Sequence, residues 1–354
     1  MSQVMNPVEW PIAAPAADRP VEPARRAGGD RLATVRRDFF LDPAQRLSEQ
    51  ERALMTAMLH ELVVGLADEL RAAVPPDATE KAVEREPEAV IADLSAAGLL
   101  DRADLVGLLL RRADADRIAS AARPHLDPHR SLLVQSLAGD EDANVSSAAM
   151  ALVLARGRRR DRFGQSLIDF NDLSAESAVA IVHAIGAALR SELDPASADR
   201  RMSAACIGLL SRHDEGLRLD ALVAALVRAL DEADRLDDDM LAAAAHEGEL
   251  DMLAAGLARR AGIDGVDAFR HLASPVDGRL MMLLRMAGAS RSLAARLLAD
   301  IGELLGIADP GHEIAGFDKI DDAAVETARG WLRLDPHYRA ARLALGGSHG
   351  QRAV

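Results

Sequence analysis

At 354 residues the chain can bury a substantial core, and length alone allows two or three domains. A formal charge of −14 with a pI near 5.2 argues against nucleic acid or an anionic membrane surface as partner, since both demand clustered Lys and Arg. Aromatics make up 3% against 49% hydrophobic residues, so the core must come from Ala, Leu, Val, Ile and Met, which suits close-packed helices better than strands.

Residues 1–29 read as a disordered Pro/Ala-rich tail, with Pro7, Pro11, Pro15, Pro20 and Pro23 opposing regular structure. The tail lacks the basic-then-apolar order of a signal peptide. With a single cysteine, Cys206, in an apolar run, the expected compartment is the reducing cytoplasm. Trp10 is the tail's one aromatic residue and a candidate docking residue. No apolar stretch reaches the roughly 20 residues of a membrane span.

Order is predicted from Asp30, first as a short helix through Leu41. Ser48 and Glu51 then form a capping box that opens a long helix, ended by Pro75 and Pro76. Leu54, Met55, Met58, Leu59, Leu62, Val63, Leu66 and Leu70 give this helix one broad apolar face, wide enough for two neighbours or for a homodimer. Thirteen shorter helices follow, from Pro87–Ala97 through Pro128–Ala138 to Asp321–Arg333. Leu-Asp-Pro recurs at 41–43, 126–128, 193–195 and 334–336, pairing an Asp N-cap with Pro at the first helical position.

Leu110–Ala122 aligns with Leu137–Ala149: an acidic residue, a branched apolar residue, then Ser-Ala-Ala. That is the helix entry of a HEAT-like repeat, in which small residues let helices lie close. The expected fold is therefore all-α, a HEAT-like (α-solenoid-like) array. Its expected divisions are the tail (1–29), an N-terminal helical region (30–164), a C-terminal helical-repeat region (165–310), and terminal cap helices with a loose tail from Gly346 (311–354). The segments Asp30–Arg71 (DRLATVRRDFFLDPAQRLSEQERALMTAMLHELVVGLADELR) and His246–Leu305 (HEGELDMLAAGLARRAGIDG onward) resemble an uncharacterised bacterial family, domain of unknown function two-three-three-six. The resemblance implies a helical fold and carries no activity.

Catalytic spacings are not met. The His-Glu pairs at 60, 246 and 312 have no second His four residues on, and Pro128 separates His125 from His129. No Gly-rich stretch has phosphate-loop or dinucleotide spacing, so no cofactor or metal is expected. Two places carry chemistry. His60, beside Glu61 on the long helix, has the form of a phosphoacceptor, and the wheel turns it toward solvent about 140° from the apolar face. Arg156, Arg158, Arg159, Arg160 and Arg162 form the densest positive run, a candidate patch for an anion or an acidic partner. The expected function is a non-catalytic scaffold for protein–protein interaction or regulation; the alternative is histidine phosphotransfer or nucleotide-responsive signalling.

Overall fold

The computed structural model describes residues 47–74, 84–127, 129, 131–273 and 278–350. Trp10, the expected helix before Leu41, the first Leu-Asp-Pro and Pro128 lie outside the described residues. Sixteen α-helices and four short 3-10 turns make up the regular structure there, with no β-strand beyond a single bridge between Arg160 and Ser166.

Helix α1 (Glu49–Ala73) begins as its sequence dictates. Ser48 Oγ accepts the Glu51 N–H at 3.2 Å, and the Glu51 carboxylate accepts the Ser48 N–H at 2.8 Å. Both donors would otherwise be orphans of the first turn. Next come α2 (Pro87–Ala96), α3 (Ala103–Ala122), α4 (Leu133–Leu137), α5 (Ala143–Arg158), α6 (Ala175–Leu189) and α7 (Ala198–Leu210). The rest are α8 (Leu219–Glu232), α9 (Asp238–His246), α10 (Leu250–Ala261), α11 (Gly265–Leu272), α12 (Arg279–Met286), α13 (Arg291–Ile301), α14 (Pro310–Phe317), α15 (Asp322–Leu332) and α16 (Pro336–Gly350). Asp142, Asp237, Asp264, Asp309 and Asp321 each cap a helix through a side-chain oxygen, so part of the chain's acidity is spent on N-termini.

The final Leu-Asp-Pro works as read: Asp335 Oδ1 accepts the N–H groups of His337 and Tyr338 at 2.8 and 3.1 Å, with Pro336 opening α16. Four expectations change. The Leu-Asp-Pro at 193–195 does not open its helix directly, because α7 begins at Ala198 with Ser197 at the N-cap position. The helix expected over Pro128–Ala138 shrinks to α4, because Leu132 offers no side-chain cap and the Leu133 N–H goes to Glu247 Oε2 at 2.6 Å. Helix α14 falls within the expected terminal cap region but has no predicted range of its own, although Asp309-Pro310 is the same cap-and-proline device. The described part of the expected loose tail, residues 346–350, belongs to α16, which continues to Gly350. A capped start followed by good helix formers carries the helix through the glycine pair, at about 1 kcal/mol per Gly.

The buried side chains form two clusters, and neither follows a single stretch of chain. One joins α1, α2, the first half of α3, α6 and α7, around Met58, Leu66, Leu105, Ile181 and Leu209. The other joins the end of α3 at Ile118 to α4, α5 and the helices α8 to α15, around Leu152, Leu226, Leu253 and Leu284. The chain thus crosses between them within α3, again at α6 and again at α8. The expected division at 164/165 separates neither cluster from the other.

A solenoid brings together sequence neighbours. Here α5 lies on α8, α9 on α13, and α1 on α6 and α7. The aligned pair behind the repeat reading is also not one structural unit: Leu110 is in mid-α3, whereas Leu137 ends α4. The alignment recorded a shared apolar register, Ile118 with Val145 and Ala122 with Ala149, all buried. The broad face of α1 closes within the chain, with Met58, Leu62, Val63, Leu66, Ala67 and Leu70 buried.

Cys206 is a core residue of α7, 2% exposed. A methyl group on Gly186 of α6 would come 2.4 Å from its sulfur, so that glycine sets the close approach of the two helices.

Candidate functional site

The two clusters meet at the middle of α3, where Leu108 and Leu109 face one core and Ile118 the other. Between them Arg111 and Arg112 interrupt the apolar pattern. Gly248 helps assemble this seam: its φ of +70° and its position against Ala119 and Ala122 lay the turn between α9 and α10 on α3. That contact places Glu249 and Asp251 beside the arginines of α5 and α3.

Arg112 Nη1 donates to Asp251 Oδ2 at 2.9 Å, and its Nη2 lies 3.6 Å from Asp220 Oδ1. Its Nε and Nη2 have no hydrogen-bond partner among the described residues. Burial opposes its charge, but the combined pull of Asp251, Asp220 and Asp172 holds the guanidinium above the ordinary arginine value. Arg111 fares differently. Its Nη2 lies 3.5 Å from Asp220, and burial pushes its pKa down because Asp220 and Asp251 compensate too little.

Two cavities flank the seam. One, about 320 Å³, lies between α8, α10 and α11, with Arg111 and Arg218 at one side. The other, about 100 Å³, is lined by Arg112, Arg156, Arg159, Arg160, Glu249 and Asp251.

The arginine run of the sequence reaches this second cavity but does not form one patch. Arg156 clasps Glu249 with both terminal nitrogens, at 2.9 and 2.6 Å. Arg159 is 5% exposed and clasps Asp172 at 2.7 and 2.9 Å, while donating to the carbonyls of Ala155 and Leu217. Burial opposes the Asp172 charge, yet the Arg159 hydrogen bonds and the Arg112 charge hold its pKa below the usual carboxylate value. Arg160 donates to the Gly164 carbonyl at 2.6 Å, Arg162 lies over the Phe163 ring at 4.7 Å, and Arg158 is exposed. Two of the five guanidiniums are therefore clasped by carboxylates of the fold, and Arg160 stands 3.9 Å from a third, Asp116.

His60 does not point freely outward. Its Nδ1 lies 3.5 Å from Glu61 and its Nε2 3.6 Å from Glu88, which ties α1 to the first turn of α2. His60, Glu61 and the seam are not brought together.

The seam itself has a sequence signal: Arg111-Arg112 breaks an apolar run, Leu108-Leu109-Leu110 before and Ala113 after. A paired charge at that position is costly unless partners wait for it.

Fold and seam define an all-helical protein with two interleaved cores joined by buried arginine–carboxylate pairs. The chain belongs to the family described as uncharacterised protein conserved in bacteria (DUF2336), whose model matches residues 92–323. The matched span holds the seam and the His246–Leu305 resemblance; Asp30–Arg71 and His60 precede it. No curated protein and no solved structure matches the chain. Among the described residues, no helix is long and apolar enough to cross a membrane.

Proposed function

We propose that this protein is a non-catalytic interaction module that presents a helical surface to a protein partner in the bacterial cytoplasm. The supporting observation is a division of labour along α5 and its C-terminal cap residue, Arg159. Arg156 and Arg159 turn inward to carboxylates, while Met150 and Leu154, one helical turn apart, are 45% and 56% exposed. Residues at this spacing share a face, and exposed apolar groups in a row favour contact with another surface. The HEAT-like part of the reading is kept for α9 to α12, where each helix packs on the next. Crosslinking and affinity purification of wild type against Met150→Glu/Leu154→Glu tests the proposal. A partner recovered by wild type and lost by the double variant, at equal thermal stability, is expected; equal recovery from both would refute it.

The second reading, histidine phosphotransfer, is favoured by one detail: the Glu61 carboxylate beside His60 Nδ1 is placed to orient the ring. Nucleophilic use of Nε2 would first require the exposed Glu88 to swing away. Incubation with a phosphorylated receiver domain should then leave acid-labile label on wild type and none on His60→Ala. A nucleotide-responsive site would have to use Arg158, Arg160 and Arg162, and titration against Arg158→Ala/Arg160→Ala checks it.

A further inference from the structure

The larger cavity has an apolar body and one under-used polar end. Small side chains leave the space open: Ala221 and Ala224 on α8, Ala254 and Ala255 on α10, and Gly265 on α11, with Val266 and Phe269 closing the far side. At about 320 Å³ it falls at the small end of ligand pockets, which run about 300–1,000 Å³.

At the polar end, three guanidiniums crowd one carboxylate. Arg111 Nη2 and Arg218 Nη2 both stand 3.5 Å from Asp220 Oδ2, and Arg112 Nη2 stands 3.6 Å from Asp220 Oδ1. Charge-assisted N–H···O bonds close to about 2.7–2.9 Å, so none of the three is a full bond. Arg112 has Asp251 as its close partner. Arg111 and Arg218 do not: Arg218 adds only Glu215 at 3.7 Å, and its Nε has no hydrogen-bond partner among the described residues. The other wall carboxylates are occupied. Asp264 caps α11 through Val266 at 2.8 Å, and Glu215 accepts the Ala175 N–H at 2.9 Å. Burial without adequate compensation pushes the Arg111 pKa down, the signature of a cation short of an anion.

We propose that this cavity binds a small amphiphilic carboxylate, its head chelated by the Arg111 and Arg218 forks and its short apolar body laid against Ala224, Ala255 and Phe269. Two planar forks match a planar carboxylate. The wall carries four carboxylates (Glu215, Asp220, Asp251 and Asp264) against two guanidiniums, so a phosphate dianion would meet twice the net repulsion of a monoanion, and an uncharged apolar molecule would leave the forks unpaired.

The test is calorimetric titration of the full chain with octanoate, with 1-octanol as the headless control and acetate as the control without a body. Octanoate is expected to bind saturably, one per chain, at least tenfold tighter than either control. Arg218→Gln should weaken it at least tenfold. Ala224→Phe, at an exposed rim position that should leave folding intact by circular dichroism, should block it. Octanol or acetate matching octanoate, no saturable octanoate binding at millimolar concentration, or wild-type affinity in a folded Ala224→Phe variant would each overturn the proposal.

Discussion

Asp114 offers the most direct check on the electrostatics of α3. Its carboxylate lies 3.7 Å from Arg117, whose Nε is 3.0 Å from Glu51 at the start of α1 and whose Nη1 donates to the Leu304 carbonyl at 2.8 Å. Arg117 is therefore divided between two carboxylates, as ion-pair contacts, and one carbonyl that accepts its hydrogen bond. Burial, reinforced by the Glu51 charge and only partly opposed by Arg117, raises the Asp114 pKa from its ordinary 3.8 to about 6. A folded-state pKa above the unfolded one means that folding takes up a proton. The stabilising contribution is complete below about pH 4 and is lost as pH rises through 6. The difference between 3.8 and about 6, at about 1.4 kcal/mol per pH unit, sets a ceiling of about 3 kcal/mol. Asp114→Asn keeps the shape and removes the titration. Urea denaturation from pH 4 to 8 should show the variant equal to wild type near pH 4 and more stable by about 1–3 kcal/mol at pH 7.5. A pH-independent difference, or a variant less stable than wild type at pH 7.5, would refute the account of this joint.

Three further outcomes follow from the seam and its supports. Arg112→Met leaves Asp251 buried without its partner and should cost about 3–5 kcal/mol in urea denaturation, while Arg112→Met/Asp251→Leu should recover much of that loss. Arg159→Ala should cost several kcal/mol by orphaning Asp172, whereas Arg158→Ala should stay within about 0.5 kcal/mol on the same assay, despite equal charge and adjacency in the run. Gly248→Ala meets both a left-handed backbone and the α3 surface, so thermal denaturation should show a loss of more than about 1 kcal/mol.

Local structure was legible because it is written in local chemistry. The Ser48–Glu51 box, the Asp335-Pro336 start and the exact span of α11 at Gly265–Leu272 each depend on residues within one turn. The assembly of those helices was not legible. Which core a helix joins is decided by which apolar face it meets after a crossover, and Ala-rich faces on α3 and α5 look alike to any alignment. The Leu133 N–H shows the same limit at smaller scale: its partner, Glu247, is 114 residues away. The arginine run was visible as charge, but inward and outward members cannot be told apart until Asp172 and Glu249 are in place.

The preference for Arg over Lys gains a physical meaning from the same contacts. Lys occurs only at Lys81 and Lys319. Arg260 donates to the carbonyls of Ala287 and Gly288 just beyond α12, and Arg329 to those of Ala261 and Met286 at the ends of α10 and α12. Arg333 adds the Gly262 carbonyl. The last carbonyls of a helix have no intrahelical donor and carry the negative end of its dipole. A guanidinium can reach two of them at once from a neighbouring helix, whereas an ammonium on a flexible stem fixes no such angle. Short helices have many ends per residue, and a fold that crosses repeatedly between two cores must bury some of those ends at junctions. Forked donors on adjacent helices answer both needs, so the arginines tie helix to helix here, and at the seam three of them, Arg111, Arg112 and Arg218, crowd the single carboxylate of Asp220.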